Sequence, residues 1–220
     1  MIPARMGSQR LKHKNLKLIK GVSLISHAIN RCKKANCFDE IWVNSENLVF
    51  KEIAIQENVK FHHRNKELAN NTATSEEFIT EFLKQHSCEF LVQVHSIAPL
   101  LHPNQIEDFT NHIKLNKFDT LLSIEEIKIE CCLDGYPINF DFKKKTNSQD
   151  LKPIQRISWN ISGWRRESFL DSKKKNECAT YNGNIGFFTT TEIASHVIKT
   201  QRDLELAESM YNLVYSKDDY

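Results

Sequence analysis

The residues best suited to chemistry stand close together at the start of the chain. Residues 2–15 read Ile2-Pro3-Ala4-Arg5-Met6-Gly7-Ser8-Gln9-Arg10-Leu11-Lys12-His13-Lys14-Asn15. Arg5, Arg10 and Lys14 are three cations on what reads as one loop, which also carries Gly7 and Ser8. A glycine lets the backbone approach a ligand, and successive loop N–H groups can form an anion-binding nest. Arginine offers planar, bidentate contacts to phosphate, and lysine offers a point charge. This composition suits a triphosphate, and its plain alternative is a solvated basic loop. The loop is not a Walker P-loop, because the G-x-x-x-x-G-K-[ST] spacing is missing.

Other chemistries find less support. The six cysteines are Cys32, Cys37, Cys88, Cys131, Cys132 and Cys178. None forms a C-x-x-C pair, and no His or Cys partner follows Cys131 and Cys132 at zinc-finger spacing. With 220 residues, 30 Lys+Arg and 28 Asp+Glu, the formal net charge is only +2. That balance argues against a nucleic-acid partner. No run approaches the roughly 18 apolar residues of a membrane span, and the N-terminus lacks the apolar core of a secretory signal. The expectation is a reduced, cytoplasmic protein with no membrane partner.

The elements that must position the loop alternate between strand and helix. Residues 1–4 read as the tail of a first strand. A helix is expected over 22–34, a strand over 40–44, a helix over 46–58 and a strand over 59–62. Thr74 or Ser75 caps a helix reaching His86, with Glu76 and Glu77 in its first turn. Residues 90–95 suit a central strand. A helix follows over 103–116, with Pro103 in its first turn, and then a strand over 120–124. From about 127 to 177 the rhythm breaks, and the two Lys triplets there read as solvated loop faces. Strands over 184–188 and 195–198 and a helix over 200–214 close the chain. Thr200 and Asp203 resemble a capping box. The alternation predicts a mostly parallel sheet with helices on both faces, whose ligand crevice lies outside the carboxyl ends of the strands.

The opening segment resembles that of the sugar-acid cytidylyltransferases, which act on acylneuraminate, octulosonate and related acids. Their pattern is close to I-P-A-R-x-G-S-x-x-x-x-x-K-N followed by G-x-P-L-I. Here the second piece reads Gly21-Val22-Ser23-Leu24-Ile25. The A-R-M-G-S-x-R-L portion is also similar to the octulosonate and spore-coat polysaccharide branches. Further pieces follow in order: Val43-Asn44-Ser45-Glu46, Arg64 with Glu67-Leu68-Ala69, Thr72-Ala73-Thr74-Ser75, Pro99-Leu100, residues 147–153 around Gln149, and residues 203–208. They span nearly the whole chain.

The resemblance implies a single Rossmann-like nucleotidyltransferase domain over 1–220, with a dimerisation arm near 127–177, and a homodimer. Trp159, Trp164 and Phe169 would be either arm contacts or a satellite core. It implies transfer of CMP from CTP to a 3-deoxy-2-keto sugar acid of the acylneuraminate type, with release of pyrophosphate. Arg5, Arg10 and Lys14 would do the catalytic work on the phosphates. Ala4, Gly7, Ser8, Asn15, Arg64, Ala69 and Ser75 would hold the nucleotide. His95, Gln149 and either Asn160 or Asn182 would meet the sugar acid. An octulosonate or other sugar nucleotidyltransferase is the alternative, as is a nucleotide-binding homologue that has lost catalysis.

One departure bears on the metal. The family's D-I-D-T-x-x-D, whose first two Asp hold Mg²⁺, aligns with residues 197–203, so Val197 and Lys199 replace the two carboxylates. Mg²⁺ prefers carboxylate and phosphate oxygens. The triphosphate can hold the ion with a carboxylate from elsewhere, such as Asp150 or Asp203. Otherwise Lys199 replaces the metal's charge, or catalysis is lost. His196 reads as a stray ligand or a sheet-end histidine.

Overall fold

The computed structural model describes residues 1–215. Its strands are β1 (Ile2–Pro3), β2 (Leu18–Ile19), β3 (Val22–Ser23), β4 (Trp42–Ser45), β5 (Lys60–His63), β6 (Phe90–Val94), β7 (Thr120–Ile127), β8 (Cys132–Leu133), β9 (Tyr136–Pro137), β10 (Ile154–Arg165) and β11 (Ile185–Thr189). Its α-helices are α1 (Leu24–Ala35), α2 (Val49–Gln56), α3 (Ser75–Gln85), α4 (Pro103–Leu115), α5 (Arg166–Lys174) and α6 (Gln201–Val214).

Besides the two-stranded pairs β2-β3 and β8-β9, two larger sheets form, with orders β1-β4-β5 and β11-β7-β10-β6. Met1 joins them, because its amino group donates to Val92 O at 2.8 Å and its carbonyl accepts from Val94 N at 3.1 Å. The combined order is β5-β4-β1-β6-β10-β7-β11. β1 pairs parallel with β4 through Ile2↔Val43, and β4 pairs parallel with β5. β7 and β11 are also parallel, and only β10 runs against both of its neighbours. The fold is therefore α/β with a mostly parallel, Rossmann-like sheet, as the alternation of strands and helices predicts.

Helices cover both faces. On one face, Ile25, Ala28 and Ile29 of α1, Phe50 of α2 and Ile106, Phe109 and Ile113 of α4 pack on Ile2, Val43, Val94 and Leu121. On the other, Ile79, Phe82 and Leu83 of α3 meet Leu91, Trp164 and Phe169. α6 packs Leu204, Ala207 and Tyr211 against Leu11, Ile19 and Leu24, which closes the end of the sheet beside the first loop. Local chemistry starts α3 and α6 where expected, whereas α1 begins two residues later than position 22, because Val22 and Ser23 pair in β3. Ser23 Oγ accepts from Ser26 N ahead of α1, Thr74 N donates to Glu77 Oε2 ahead of α3, and Thr200 with Asp203 forms the capping box of α6.

Two expectations need correction. Residues 195–198 form no strand. Ser195 N bonds Thr191 O and Glu192 O in a turn, and the Asn160 side chain takes Ala194 O, so these backbone groups never enter a ladder. The stretch 127–177 is not irregular throughout, because it contains β10 and α5. β10 escapes a pattern search for two reasons. Its buried positions include Ser158, Asn160 and Ser162, and the register shifts between Ile157 and Ser162, where Trp159 takes φ 55°. Residues 128–153 form a mostly exposed segment, the arm, with β8 and β9 paired around an Asp134-Gly135 turn at φ 50° and 83°, the positive-φ pair of a tight hairpin. Of the two readings of Trp164 and Phe169, the core one holds: both lie in the core beneath α3, with Trp159 packed partly buried beside them.

Candidate functional site

β1, β4 and β6 end side by side at one edge of the sheet, and the loop after β1 lies over them. A cavity of about 330 Å³ opens there, lined by residues of the first loop, by Arg64, Ser75 and Phe78, by His95, Ser96 and Ile97, and by Lys199. This is the carboxyl end of the parallel strands, where open α/β sheets bind ligands. A larger hollow of about 420 Å³ lies at the opposite end, around Met1, Trp42, Phe82 and Leu91. Its walls lack the converging cations of the first, so the chemistry belongs to the smaller one.

The first loop is held by its neighbours. Asn15 is buried, its Nδ2 donates to Arg5 O at 3.1 Å, and its Oδ1 accepts from Ser96 Oγ at 2.7 Å. Both ends of its amide are thus used to fix the loop against the end of β6. Met6 N donates to Glu46 Oε1 at 2.9 Å. Arg5 Nη1 donates to Asn70 O at 2.8 Å and reaches Ala69 O at 3.5 Å, which pins the segment leading into α3. Arg64 is 3% exposed and braces two strand ends: its Nε donates to Asn44 Oδ1 at 2.6 Å, and its Nη2 to Ala4 O at 3.1 Å. Its guanidinium also stacks on the Phe78 ring, 4.3 Å from the centroid. Burial draws the Arg64 pKa down to about 10, which leaves it charged at neutral pH.

Lys14 donates to Ile198 O at 3.2 Å. Its pKa is lowered, first by burial and then by Arg10, Arg5 and Lys199. Like charges crowded at one cavity destabilise each other until an anion arrives. His95 is held neutral: burial and then Lys14 draw its pKa down to about 4, and its Nε2 lies 3.1 Å from Gln93 Oε1.

Of the residues expected from sequence, Ala4, Arg5, Ser8, Arg10, Lys14, Asn15, Arg64, Ser75 and His95 line the cavity together. Gly7 is exposed on the same loop, with open space where a side chain would stand. Ala69 touches the site through Arg5 alone. Gln149 sits on the arm, where its carbonyl accepts from Lys128 Nζ, and does not line the cavity. Asn160 lies at the correct end of the sheet, beside His95, but is fully buried, its Nδ2 bound to Thr190 Oγ1 and Ala194 O. Asn182 is at the wrong end. Its carbonyl accepts from Thr120 Oγ1 where β7 begins, and its side chain engages Ser172, so it faces away from the nucleotide edge. Sequence reasoning passed over Ser96, and the signal for it was its place just after the central strand.

The donor set does not fit a protein-held Mg²⁺. No carboxylate lines the cavity, and the described residues contain no group of three or more His, Cys, Asp or Glu able to hold a metal. The nearest acids are occupied: Glu46 accepts from Met6 N and Ser45 Oγ, and Asp203 Oδ2 accepts from the N–H groups of Lys199 and Thr200. Asp150 is exposed on the arm, and His196 is bound to Asp203 O.

Comparison with known proteins points one way. A family model described as Cytidylyltransferase matches residues 1–218. An N-acylneuraminate cytidylyltransferase of Streptococcus agalactiae serotype V is 28% identical over 193 residues, covering 82% of this chain and 46% of that protein. N-acylneuraminate cytidylyltransferase A of Danio rerio is 28% identical over 125 residues, covering 56% of this chain and 29% of that protein. The chain thus spans less than half the length of these two curated relatives. Among solved structures, a CMP:2-keto-3-deoxy-manno-octonic acid synthetase complexed with CTP superposes with a TM-score of 0.72 at 15% identity, over 96% of this chain and 97% of that one. A 4-diphosphocytidyl-2C-methyl-D-erythritol synthase from Anaerococcus prevotii gives 0.67 at 12% identity, over 96% and 98%. At such identities the likeness is one of fold.

Proposed function

The chain belongs to the cytidylyltransferase family, and from that premise we propose that it activates a 3-deoxy-2-keto sugar acid of the acylneuraminate type with CTP. The anomeric hydroxyl oxygen bonds to the α-phosphorus, the bond from that phosphorus to the α–β bridging oxygen breaks, and pyrophosphate leaves. The hydroxyl proton is released. The observation that carries this reading is the convergence of Arg5, Arg10, Lys14 and Lys199 on one cavity at the carboxyl edge of the sheet. Attack at phosphorus asks mainly for positioning and for charge stabilisation at the phosphates. Arg10, Lys14 and Ser8 are placed to meet them, while Asn15 and Arg64 hold the loop and strand ends that aim these groups. Cytosine and ribose then fall toward Ala69 and Ser75, and the sugar acid toward His95. No step is assigned to a protein-bound metal.

We further place the whole of 1–220 in one domain acting in the cytoplasm as a homodimer. The arm supports the dimer: Leu133, Tyr136, Ile138 and Phe142 are all exposed there. A second reading, a nucleotide-binding homologue without catalysis, draws on the absence of any carboxylate from the cavity lining.

Pyrophosphate release decides between the two. The assay takes CTP, Mg²⁺ and a panel of eight- and nine-carbon 2-keto sugar acids, with ATP, UTP and GTP as controls. Release that needs both CTP and one acid supports the transferase and names its substrate. CTP binding without release from any acid supports the second reading. Arg5→Ala and Lys14→Ala are each expected to weaken CTP binding by about 1.5–3 kcal/mol, the scale of a charge-assisted hydrogen bond. Unchanged affinity in both variants by calorimetry would remove the phosphate role of the loop.

A further inference from the structure

The cavity shows an imbalance that the transfer reaction alone does not explain: five cationic residues line it, Arg64 among them, and no acid does. We propose that Lys199 binds the phosphate end of the nucleotide and supplies the positive charge there, so that this chain holds CTP without a divalent cation coordinated by the protein. The inference rests on the reading of the cavity as a nucleotide site.

Lys199 is presented by a rigid backbone. Just before it, Ile198 N donates to Ile97 O at 2.8 Å, and Ile198 O accepts Lys14 Nζ at 3.2 Å. At the residue itself, Lys199 N donates to Asp203 Oδ2 at 2.9 Å. The root of the side chain is therefore tied to the end of β6, to the first loop and to the start of α6. Its ammonium is exposed, and among the described residues it makes no hydrogen bond or ion pair. Lys199 nevertheless acts on the site already, since its charge helps to lower the pKa of Lys14.

Asp203, the acid of this turn, has another task than holding a metal. Asp203 Oδ2 accepts two backbone N–H groups at 2.9 and 2.8 Å, and Asp203 N donates to Thr200 Oγ1, so turning the carboxylate inward would uncap α6. A cation at position 199 meets a polyanion directly, whereas a carboxylate there would need a metal between itself and the phosphates. Lysine suits the task, as a compact point charge on a flexible stem.

Calorimetry with CTP and with CMP, each in EDTA and in Mg²⁺, tests this on wild type and on Lys199→Ala, Lys199→Arg and Lys199→Asp. Position 199 is exposed, so these changes leave the core intact. Wild type is expected to bind CTP in EDTA within a factor of about ten of its affinity in Mg²⁺. Lys199→Ala is expected to lose about ten- to a hundredfold in CTP affinity in EDTA, with Lys199→Arg retaining most of it. CMP lacks the outer phosphates, so its affinity should be the same in wild type and Lys199→Ala. Lys199→Asp should bind CTP only when Mg²⁺ is present. The inference is overturned if wild type binds CTP in Mg²⁺ and not in EDTA, if Lys199→Ala binds CTP as wild type does, or if Lys199→Ala loses CMP and CTP equally. In those three cases the nucleotide reading stands. Wild type that binds neither nucleotide in either buffer overturns the nucleotide reading and this inference together.

Discussion

His95 shows how a single residue reports on the site. Its ring is neutral in the folded protein because burial and the neighbouring Lys14 draw its pKa from 6.5 to about 4. In the unfolded chain the same ring takes a proton as the pH falls below 6.5. The stability that neutral His95 contributes is therefore complete above that pH and is lost as the pH falls toward 4. His95→Gln removes the titration, so its unfolding free energy should fall less than that of wild type across this window. Urea titrations at a series of pH values measure the difference, and parallel curves would show that His95 is not held neutral. Asn15 and Arg64 teach a related lesson. Both were expected to touch the nucleotide, yet their polar groups are largely spent on Arg5, Ser96, Asn44 and Ala4. They act first by holding other residues in place.

Among the elements, α3 and α5 are joined by one carboxylate. Glu76 of α3 accepts from Thr180 N at 2.7 Å and pairs with Lys173 of α5 at 3.1 Å. Burial opposes its ionisation, but the hydrogen bonds from Thr180, Cys178 and Lys173 prevail and hold its pKa at about 2. Its stabilising effect is full above the ordinary value of 4.5 and is lost as the pH falls toward 2. Glu76→Gln should cost about 1–3 kcal/mol at neutral pH and flatten the acid limb of the stability curve. Chemical denaturation tests this, and a variant as stable as wild type would show the clamp to be idle. β11 depends on a close approach of a different kind. A Cβ at Gly186 would lie 2.6 Å from the Phe118 ring. Gly186→Ala is expected to destabilise by about 1–3 kcal/mol through overpacking, and thermal unfolding should show the drop.

At the scale of the whole molecule, the arm and the sheet divide the work. The sheet buries its apolar side chains on both faces, whereas the arm leaves Leu133, Tyr136, Ile138 and Phe142 exposed between residues 133 and 142. Exposed apolar side chains grouped in one short segment suit an interaction site, and the proposed homodimer would cover them. Sedimentation velocity is expected to give a dimer for wild type and a monomer for Leu133→Asp combined with Tyr136→Asp, with the fold unchanged by circular dichroism. A wild-type monomer at micromolar concentration would refute the proposed role of the arm.

The sequence by itself determined the features carried by local patterns. The alternation of strands and helices, the caps of α3 and α6, and the clustering of cations over residues 5–14 all follow from neighbouring residues. Such signals reach only a turn or two along the chain, because they rest on backbone periodicity and on side chains bonding to nearby N–H groups. Tertiary structure decided the rest. β10 was not legible because its pairing with β6 and β7 depends on partners 27 or more residues away, and a bulge breaks its period. Asn160 and Asn182 were interchangeable in sequence and proved to lie at opposite ends of the sheet. Lys199 reads in sequence as the loss of a carboxylate. Only the docking of the segment before α6 against the end of β6 and the first loop, through Ile198 on Ile97 and Lys14 on Ile198, makes it the fifth cation of one cavity. Convergence of charge is a property of three-dimensional distance, and distance in space is set by packing between elements remote in the chain.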